Sequence, residues 1–227
     1  MRVINSYHNI PKADRGSAVA IGNFDGVHLG HQSVIDVART AASQAKAPLG
    51  VLTFEPHPRA YFAPQTPAFR LMSPVARQNR LTKLGVEYLY ELPFNDSLAA
   101  LTPEQFAREV ISEGLGLTHV VIGQDFCFGK ARAGTAEDLL HFGEKMGFGV
   151  SIAPLLATKG AQVSSTAIRT ALSEGRPQDA AAMLGHWHRL EGAVQHGEKR
   201  GRELGFPTAN MHLTDLHLPK FGVYAVE

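Results

Sequence analysis

Two histidines, His28 and His31, stand three residues apart in the stretch AIGNFDGVHLGHQ, residues 20–32. Gly22 and Gly26 allow a sharp turn and a close approach of the backbone to a ligand. The turn leads into a predicted helix, whose first amide groups lack intrahelical acceptors and favour phosphate. Two imidazole N–H groups directed at one point would stabilise the charge that grows on a phosphate during in-line attack.

Other interpretations of this histidine pair remain open at this point. Two partly exposed histidines at the start of a helix need have no chemical role. A zinc site would need further ligands at suitable spacing, and Cys127 is the only thiol in the chain. The spacing H-x-x-H alone therefore does not decide between a phosphate site and these alternatives.

A second group of polar residues precedes another predicted helix. Ser164, Ser165 and Thr166 offer hydroxyl and amide groups at its N-terminus, and Arg169 follows one turn later. Such a set favours phosphate, although an ordinary capped helix has the same appearance. If the fold brings the two helix starts together, they form two halves of one anion site.

The elements that must position these residues alternate along the chain. Short apolar strands are predicted at residues 17–24, 48–56, 86–94, 119–126 and 149–156. Helices with apolar residues at helical spacing or with clear start and stop signals are predicted at 30–47, 73–85, 102–116 and 135–147. This alternation predicts an α/β fold with a parallel sheet covered on both faces, in which ligands bind beyond the carboxyl ends of the strands.

The pattern changes after Leu156. Two short helices are predicted around residues 165–174 and 176–185, and a segment rich in glycine and turn residues follows. Strand-like pieces at 190–195 and 222–226 indicate the opening of a β-rich domain. We therefore place a domain boundary near residues 184–188.

Composition excludes several classes of protein. Of 227 residues, 22 are Lys or Arg and 21 are Asp or Glu, a balance that gives no reason to expect binding to nucleic acid or to a membrane surface. A single cysteine excludes an internal disulfide and fits a reducing compartment, so we expect a cytoplasmic protein. The oligomeric state stays open.

The stretch GNFDGVHLGH resembles the HxGH signature of the nucleotidylyltransferase superfamily, and in this form it is similar to bacterial FAD synthetases, the bifunctional riboflavin kinase/FMN adenylyltransferases. Three more stretches, TFEPHPRAYF, VIGQDFCFGKARAG and VSSTAIRTAL, resemble that family in order and approximate spacing. GEKRGRELGFPTAN, residues 197–210, resembles the start of its riboflavin kinase module.

The resemblance implies a Rossmann-like nucleotidylyltransferase domain at 1–184 and an incomplete β-barrel riboflavin kinase domain at 185–227. It implies FMN and ATP as substrates of the first domain, with riboflavin as substrate of the second. It also assigns catalytic roles to His28, His31 and Arg169. The residues implied at ATP are Gly22, Asn23, Phe24, Asp25, Gly30, Asp125, Ser164, Ser165 and Thr166.

The resemblance also places the flavin. Residues implied at its border or stacked on its ring are Pro56, His57, Pro58, Phe62, Phe126 and Phe128, although burial in the core is the commoner fate of a phenylalanine. Lys130 and Arg132 lie in a glycine-bounded loop that is either a lid over the polyphosphate or a solvated basic loop. Thr208 and Asn210 match the kinase motif that helps to hold MgATP.

The reaction expected from these roles is attack of the FMN phosphate on the α-phosphate of ATP, with pyrophosphate leaving. Mg²⁺ is expected on phosphate and water oxygens, with no ligand supplied directly by the adenylyltransferase domain. Two alternatives remain: another HxGH nucleotidylyltransferase, acting on phosphopantetheine or a choline-type phosphate, and a non-catalytic flavin-binding module. Small molecules are the expected partners in each case.

Overall fold

A six-stranded parallel sheet organises the protein, for which a computed structural model describes residues 1–158, 161–197, 205–206, 208–213 and 215–226. The order of the strands in the sheet is β1–β4–β3–β2–β5–β6. Their bounds are Arg2–Ile4 (β1), Ala18–Ile21 (β2), Leu49–Glu55 (β3), Tyr88–Pro93 (β4), His119–Gly123 (β5) and Gly149–Ala153 (β6). All five neighbouring pairs are parallel.

Helices connect and follow these strands. The bounds are Leu29–Ala45 (α1), Pro58–Phe62 (α2), Pro74–Lys83 (α3), Asp96–Ala99 (α4), Pro103–Gln105 (α5), Ala136–Met146 (α6), Ser165–Ser173 (α7) and Pro177–Leu184 (α8). A π-helical segment, Phe106–Gly114, continues α5. Two short antiparallel hairpins complete the described structure, Ala157–Thr158 (β7) with Ala161–Gln162 (β8) and Ala193–Gln195 (β9) with Asn210–His212 (β10).

The central strand β2 shows why the sheet is parallel and covered on both sides. Its four residues, AVAI, are all buried. Ala18 and Ala20 belong to the apolar cluster that includes Ile35 of α1, whereas Val19 and Ile21 belong to the cluster on the opposite face. Successive side chains of a strand point to opposite faces, so a wholly apolar strand needs cover on both.

The strand order places a topological switch at the centre of the sheet. From β2 the chain runs through α1 to β3 on one side, and from β5 through α6 to β6 on the other. The loops leaving β2 and β5 therefore diverge and leave a crevice at the carboxyl ends of these two adjacent strands. The histidine turn follows β2, so this is the edge at which the proposed site was expected.

The α/β prediction is confirmed, with several local corrections. Strand β1 was not predicted, because three partly exposed residues at a sheet edge give no clear periodic pattern. The short helix α2, which was not predicted, begins at Pro58, because proline suits the first helical position. The helix predicted at 102–116 is largely π-helical, with Leu115 N–H donating to Val110 O.

The β-rich segment differs further from prediction. The piece at 190–195 is a strand only over β9, and 222–226 contains no strand. Side chains at 222–226 are exposed, as at Val223 and Val226. Much of the stretch at 197–210 that resembles the kinase lies outside the described residues. The domain boundary near Leu184 remains a prediction.

Candidate active site

A cleft of about 560 Å³ opens at the carboxyl ends of β2, β3 and β5. Most of the residues singled out in the sequence line it together: Gly22, Asn23, Phe24, Asp25, His28, Gly30, His31, His57, Pro58, Phe62, Asp125, Phe126, Phe128, Arg132, Ser164, Ser165 and Arg169. Pro56, Lys130 and Thr166 are not part of its lining. One cleft thus collects residues from four separate stretches of sequence.

The turn after β2 has an unusual backbone. Phe24, Gly26 and Val27 all have positive φ angles, of 51°, 84° and 41°. A Cβ atom at Gly26 would lie 2.9 Å from Leu71 Cδ1, so only glycine fits there. Left-handed conformations at phenylalanine and valine are costly, at about 1–3 kcal/mol each, and cluster at ligand-binding sites. The buried side chains of Phe24 and Val27 anchor this turn in the core.

The turn delivers the two histidines to one place. His28 is the N-cap of α1, and its Nδ1 accepts a hydrogen bond from His31 N–H at 3.3 Å. This bond assigns the imidazole hydrogen of neutral His28 to Nε2. The two rings stack with centroids 3.7 Å apart, and Nδ1 of His31 is buried without a hydrogen-bond partner among the described residues.

Both histidines are neutral at physiological pH. Burial, assisted by the charge of Arg169, lowers the pKa of His28 to about 4. Burial and the neighbouring His28 hold the pKa of His31 well below its ordinary value. Neutral imidazoles carry one N–H donor each, so the pair can donate hydrogen bonds to phosphate without a proton having to leave.

The second polar group lies directly against this turn. Ser164 caps α7 by accepting from Ala167 N–H, and Ser165 Oγ donates to Asp25 O at 2.9 Å. A Cβ atom at Gly30 would lie 3.4 Å from Val163 O, so the start of α1 closely approaches the residue before the N-cap of α7. The N-termini of two helices therefore face one cleft, and both favour anions.

An ion pair between Asp25 and Arg169 joins the two helix starts. Asp25 Oδ2 accepts from Arg169 Nη1 at 3.1 Å, and Oδ1 accepts from Leu71 N–H at 2.7 Å. Burial raises the pKa of Asp25, while Leu71 N–H and Arg169 oppose that rise. Both oxygens are thus already engaged, which favours a supporting role for Asp25 behind the ATP site over the direct ATP contact predicted from the sequence.

Arg169 makes further contacts that fix its guanidinium. Nη1 also lies 3.4 Å from Phe69 O, and Nη2 donates to Thr166 Oγ1 at 3.2 Å. Thr166, predicted at ATP, therefore orients Arg169. Burial lowers the pKa of Arg169, and the carboxylate of Asp25 opposes this effect. The result is a fixed cation beside the two histidines.

The other half of the cleft is aromatic. Phe54, Phe94 and Phe62 form a chain of edge-to-face contacts, with Phe62–Phe94 centroids 5.6 Å apart. Phe126 and Phe128 lie nearly parallel, with centroids 5.7 Å apart. Phe128 is 95% shielded from solvent and packs in the core, whereas Phe62 is 66% exposed. Phe62 is therefore the ring with most surface available to a flat ligand.

His57 lies between the aromatic and the polar parts of the cleft. It is the N-cap of α2, with Nδ1 accepting from Arg59 N–H at 3.0 Å. Burial first, and then the charges of four arginines, lower the pKa of His57 to about 4; the arginines, in order of effect, are Arg70, Arg77, Arg169 and Arg59. Four guanidinium groups thus approach one imidazole, and three of them are themselves paired with carboxylates.

A buried network of charges supports this region, and the sequence reasoning missed it. Arg77 Nη2 donates to Glu91 Oε1 at 2.6 Å and to Glu55 Oε2 at 3.1 Å, and Nη1 lies 3.3 Å from Asn23 O. Arg70 Nη2 lies 2.8 Å from each Glu55 oxygen. One feature of the sequence could have indicated this network: the acidic residues Glu55 and Glu91 lie towards the carboxyl ends of the adjacent strands β3 and β4.

The loop predicted as a lid is tied down at its backbone. Phe128 and Gly134 exchange two hydrogen bonds, and Lys130 N–H donates to Leu101 O at 2.7 Å. A Cβ at Gly129 would lie 2.7 Å from Pro103 N, so this glycine permits close packing. The side chain of Arg132 reaches the cleft and that of Lys130 does not. A lid movement here remains a prediction.

The remaining predictions concern the kinase segment and metal. Thr208 and Asn210 are exposed, and Asn210 pairs with Gln195 in the β9–β10 hairpin.

Within the described part of the chain, no group of three or more His, Cys, Asp or Glu side chains is arranged to hold a metal ion. The helices of that part include none that is both long and apolar enough to cross a membrane.

Two sequence profiles match the chain in succession. Residues 10–167 match the FAD synthetase family, and residues 184–227 match riboflavin kinase. The first match contains every residue predicted for the adenylyltransferase site except Arg169, which lies two positions beyond it. The second contains Thr208 and Asn210.

Curated relatives match over the whole chain. The bifunctional riboflavin kinase/FMN adenylyltransferase of Pseudomonas fluorescens is 39% identical over 100% of this chain and 72% of its own length. That of Bacillus subtilis is 38% identical with the same coverage, and that of Escherichia coli K12 is 35% identical over 73% of its length.

A solved structure has the same fold. A crystal structure from Streptococcus pneumoniae, described as a macrolide-efflux protein, superimposes with a TM-score of 0.85 at 34% identity, covering 98% of this chain and 72% of that one. The matched profiles, the full-length identity to the curated relatives and the shared fold lead to one conclusion: the chain belongs to the FAD synthetase family of bifunctional riboflavin kinase/FMN adenylyltransferases.

Proposed function

We propose that this protein transfers the adenylyl group of ATP to FMN, giving FAD and pyrophosphate. One observation carries the proposal: two helix N-termini, joined by the Asp25–Arg169 ion pair, share a cleft with an aromatic wall. The polar half suits polyphosphate and the aromatic half suits a flat tricyclic ring. The names of the curated relatives support the same reaction.

Catalysis by these residues is positioning and charge stabilisation. The FMN phosphate is ionised at neutral pH, so its oxygen can attack the α-phosphate without a general base. His28 and His31 donate hydrogen bonds to oxygens on which negative charge increases as the pyrophosphate departs. Arg169 and the amide groups at the start of α7 hold the leaving phosphates in line.

Mg²⁺ fits this arrangement as an ion held by the nucleotide. Asp25, which lies in the turn before α1 and pairs with Arg169 of α7, has its two oxygens engaged by Leu71 N–H and Arg169. The phosphate oxygens of ATP and water would therefore supply its ligands. When bound there, Mg²⁺ neutralises phosphate charge.

Product analysis with alternative substrates tests the proposal. The purified chain is incubated with MgATP and FMN, phosphopantetheine or choline phosphate, and again with MgCTP. We expect FAD and pyrophosphate in equal amounts from FMN and ATP only. Turnover of another phosphate in preference to FMN would assign a different nucleotidylyltransferase, and binding of FMN without turnover would indicate a flavin-binding module.

A second reaction, phosphorylation of riboflavin by ATP, is supported by a different observation. Residues 184–227 match the riboflavin kinase profile, and Thr208 and Asn210 occupy the motif that the family resemblance places at MgATP. Formation of FMN and ADP from riboflavin and MgATP, assayed in the full-length protein separately from FAD formation, tests this activity.

A further inference from the structure

A short segment beyond the β9–β10 hairpin packs against the back of the adenylyltransferase site. Leu216 is 5% exposed and forms a parallel bridge with Arg70. Its neighbour His217 donates its backbone N–H to Arg70 O at 2.7 Å, and Lys220 N–H donates to Leu172 O. The segment therefore contacts both the loop before α3 and helix α7.

The His217 side chain reaches the backbone of Arg169 itself. Its Nε2 lies 3.1 Å from Arg169 O and 3.0 Å from Ser173 Oγ. A carbonyl oxygen only accepts hydrogen bonds, so the contact with Arg169 requires the imidazole hydrogen on Nε2. One residue thus donates to the loop through its backbone and to α7 through its side chain.

These contacts complete a ring of hydrogen bonds around Arg169. On the cleft side, the Arg169 guanidinium contacts Phe69 O and Asp25. On the opposite side, His217 joins the next residue of the loop, Arg70, to the backbone of Arg169. Loop and helix are therefore connected twice, once through the side chain of Arg169 and once through His217.

His186 makes a comparable contact with the turn between β2 and α1. Its Nε2 lies 3.1 Å from Gly26 O, in the turn that precedes His28. Both histidines lie within the region that matches riboflavin kinase. The part of the chain that matches riboflavin kinase therefore contacts the backbone of the histidine turn at Gly26 and of helix α7 at Arg169, although none of the adenylyltransferase motifs lies within it.

We propose that His217 is a positioning residue for adenylyl transfer, acting by fixing α7 and the loop before α3 so that the Arg169 guanidinium is held at the leaving phosphates. The proposal rests on the proposed function and extends the adenylyltransferase site into the kinase-side segment. It predicts that substitutions in this segment alter adenylyl transfer, through the backbone and side-chain contacts of His217.

Variants of His217 in the full chain test the proposal. For His217→Ala we expect kcat for FAD formation to fall about tenfold, since small misplacements of a catalytic group are costly. The KM for FMN should change less than about twofold, because the flavin half of the cleft is untouched. His217→Gln keeps an N–H donor and should recover most of the activity. His212→Ala, at an exposed position in β10, is the matched control.

A double substitution shows whether His217 acts through Arg169. In an Arg169→Ala background, His217→Ala should lower kcat by less than about twofold, since the group that it positions is absent. An equal loss in both backgrounds, equal losses for His217→Ala and His217→Gln, or unchanged kcat in His217→Ala would each overturn the proposal. If His217→Ala melts below the assay temperature, His217→Leu replaces it with the same expected results. Absence of FAD formation by the unmodified chain would instead overturn the proposed function.

Discussion

The guanidinium of Arg169 lies 3.1 Å from the carboxylate of Asp25, and this pair joins the turn after β2 to the start of α7 across 144 residues of sequence. The side chains of the two residues are only 17% and 6% exposed. An ion pair with so little solvent access is costly to break on one side, because the remaining charge stays buried. The pair therefore fixes the turn after β2 relative to the start of α7.

Substitution of Asp25 by Asn should uncouple these elements. Asn can still accept from Leu71 N–H but leaves the Arg169 charge without its carboxylate. We expect the free energy of unfolding to fall by about 3 kcal/mol and kcat to fall at least about tenfold, measured by urea denaturation and by FAD formation. The control is Asp36→Asn, because the Asp36–Arg39 pair is exposed and should contribute less than about 1 kcal/mol. Equal effects of the two substitutions would contradict this role of Asp25.

Substitution of His31 by Ala tests its proposed role as a donor to the reacting phosphate. We expect kcat to fall by roughly 10²–10³, the scale of losing one such donor. Binding of ATP should weaken less, because the hydrogen bond strengthens as charge develops. Steady-state kinetics and equilibrium titration of ATP separate the two effects. An increase in KM with unchanged kcat would make His31 a ground-state binding residue.

The buried histidines make stability depend on pH. Folding lowers the pKa values of His28 and His57 from about 6.5 to about 4. The unfolded chain therefore binds more protons between these values, and the free energy of unfolding falls as the pH is lowered from about 6.5 towards 4. We expect His57→Gln to remove about 2 kcal/mol of the loss between pH 7 and 5, measured by urea denaturation. The same pH dependence in variant and unmodified protein would contradict a buried neutral His57.

Phe62 offers a test of the flavin half of the cleft. It is 66% exposed and contacts Phe94 and Tyr61 by its edge. We expect Phe62→Ala to raise the KM for FMN about tenfold while leaving kcat within about twofold, because stacking holds substrate and transition state alike. Phe221→Ala is the control, since Phe221 is 99% exposed and lies outside the cleft. A fall in kcat without a change in KM would place the flavin elsewhere.

Much of the fold could be predicted from local patterns, whereas most of the lining residues were assigned through the family resemblance. The alternation of apolar strands with capped helices indicates the parallel sheet, and glycines before a helix indicate the phosphate turn. The pairing of Asp25 with Arg169 could not be predicted, because an acidic residue in such a turn looks equally suited to a ligand contact. The burial of Arg77 could not be predicted either, because a charged residue on an amphipathic helix is normally solvated.

The contacts of the C-terminal segment were also inaccessible to sequence reasoning. Leu216 and His217 lie in a short stretch without periodicity, so nothing local indicates that they pack against α7. Conversely, the strand expected at 222–226 was wrong, because this apolar run is exposed and pairs with no strand among the described residues. Local apolar content predicts a strand only where a partner strand or a covering face is available.

Single-turnover transfer of labelled phosphorus tests the central claim most directly. Excess purified chain is mixed with FMN, Mg²⁺ and ATP labelled at the α-phosphorus, and the products are separated after quenching. Direct transfer predicts that the label appears in FAD, with one pyrophosphate released for each FAD and no label attached to the protein. Label remaining in ATP or appearing only in AMP would contradict adenylyl transfer to FMN, and label bound covalently to the protein would contradict the direct mechanism.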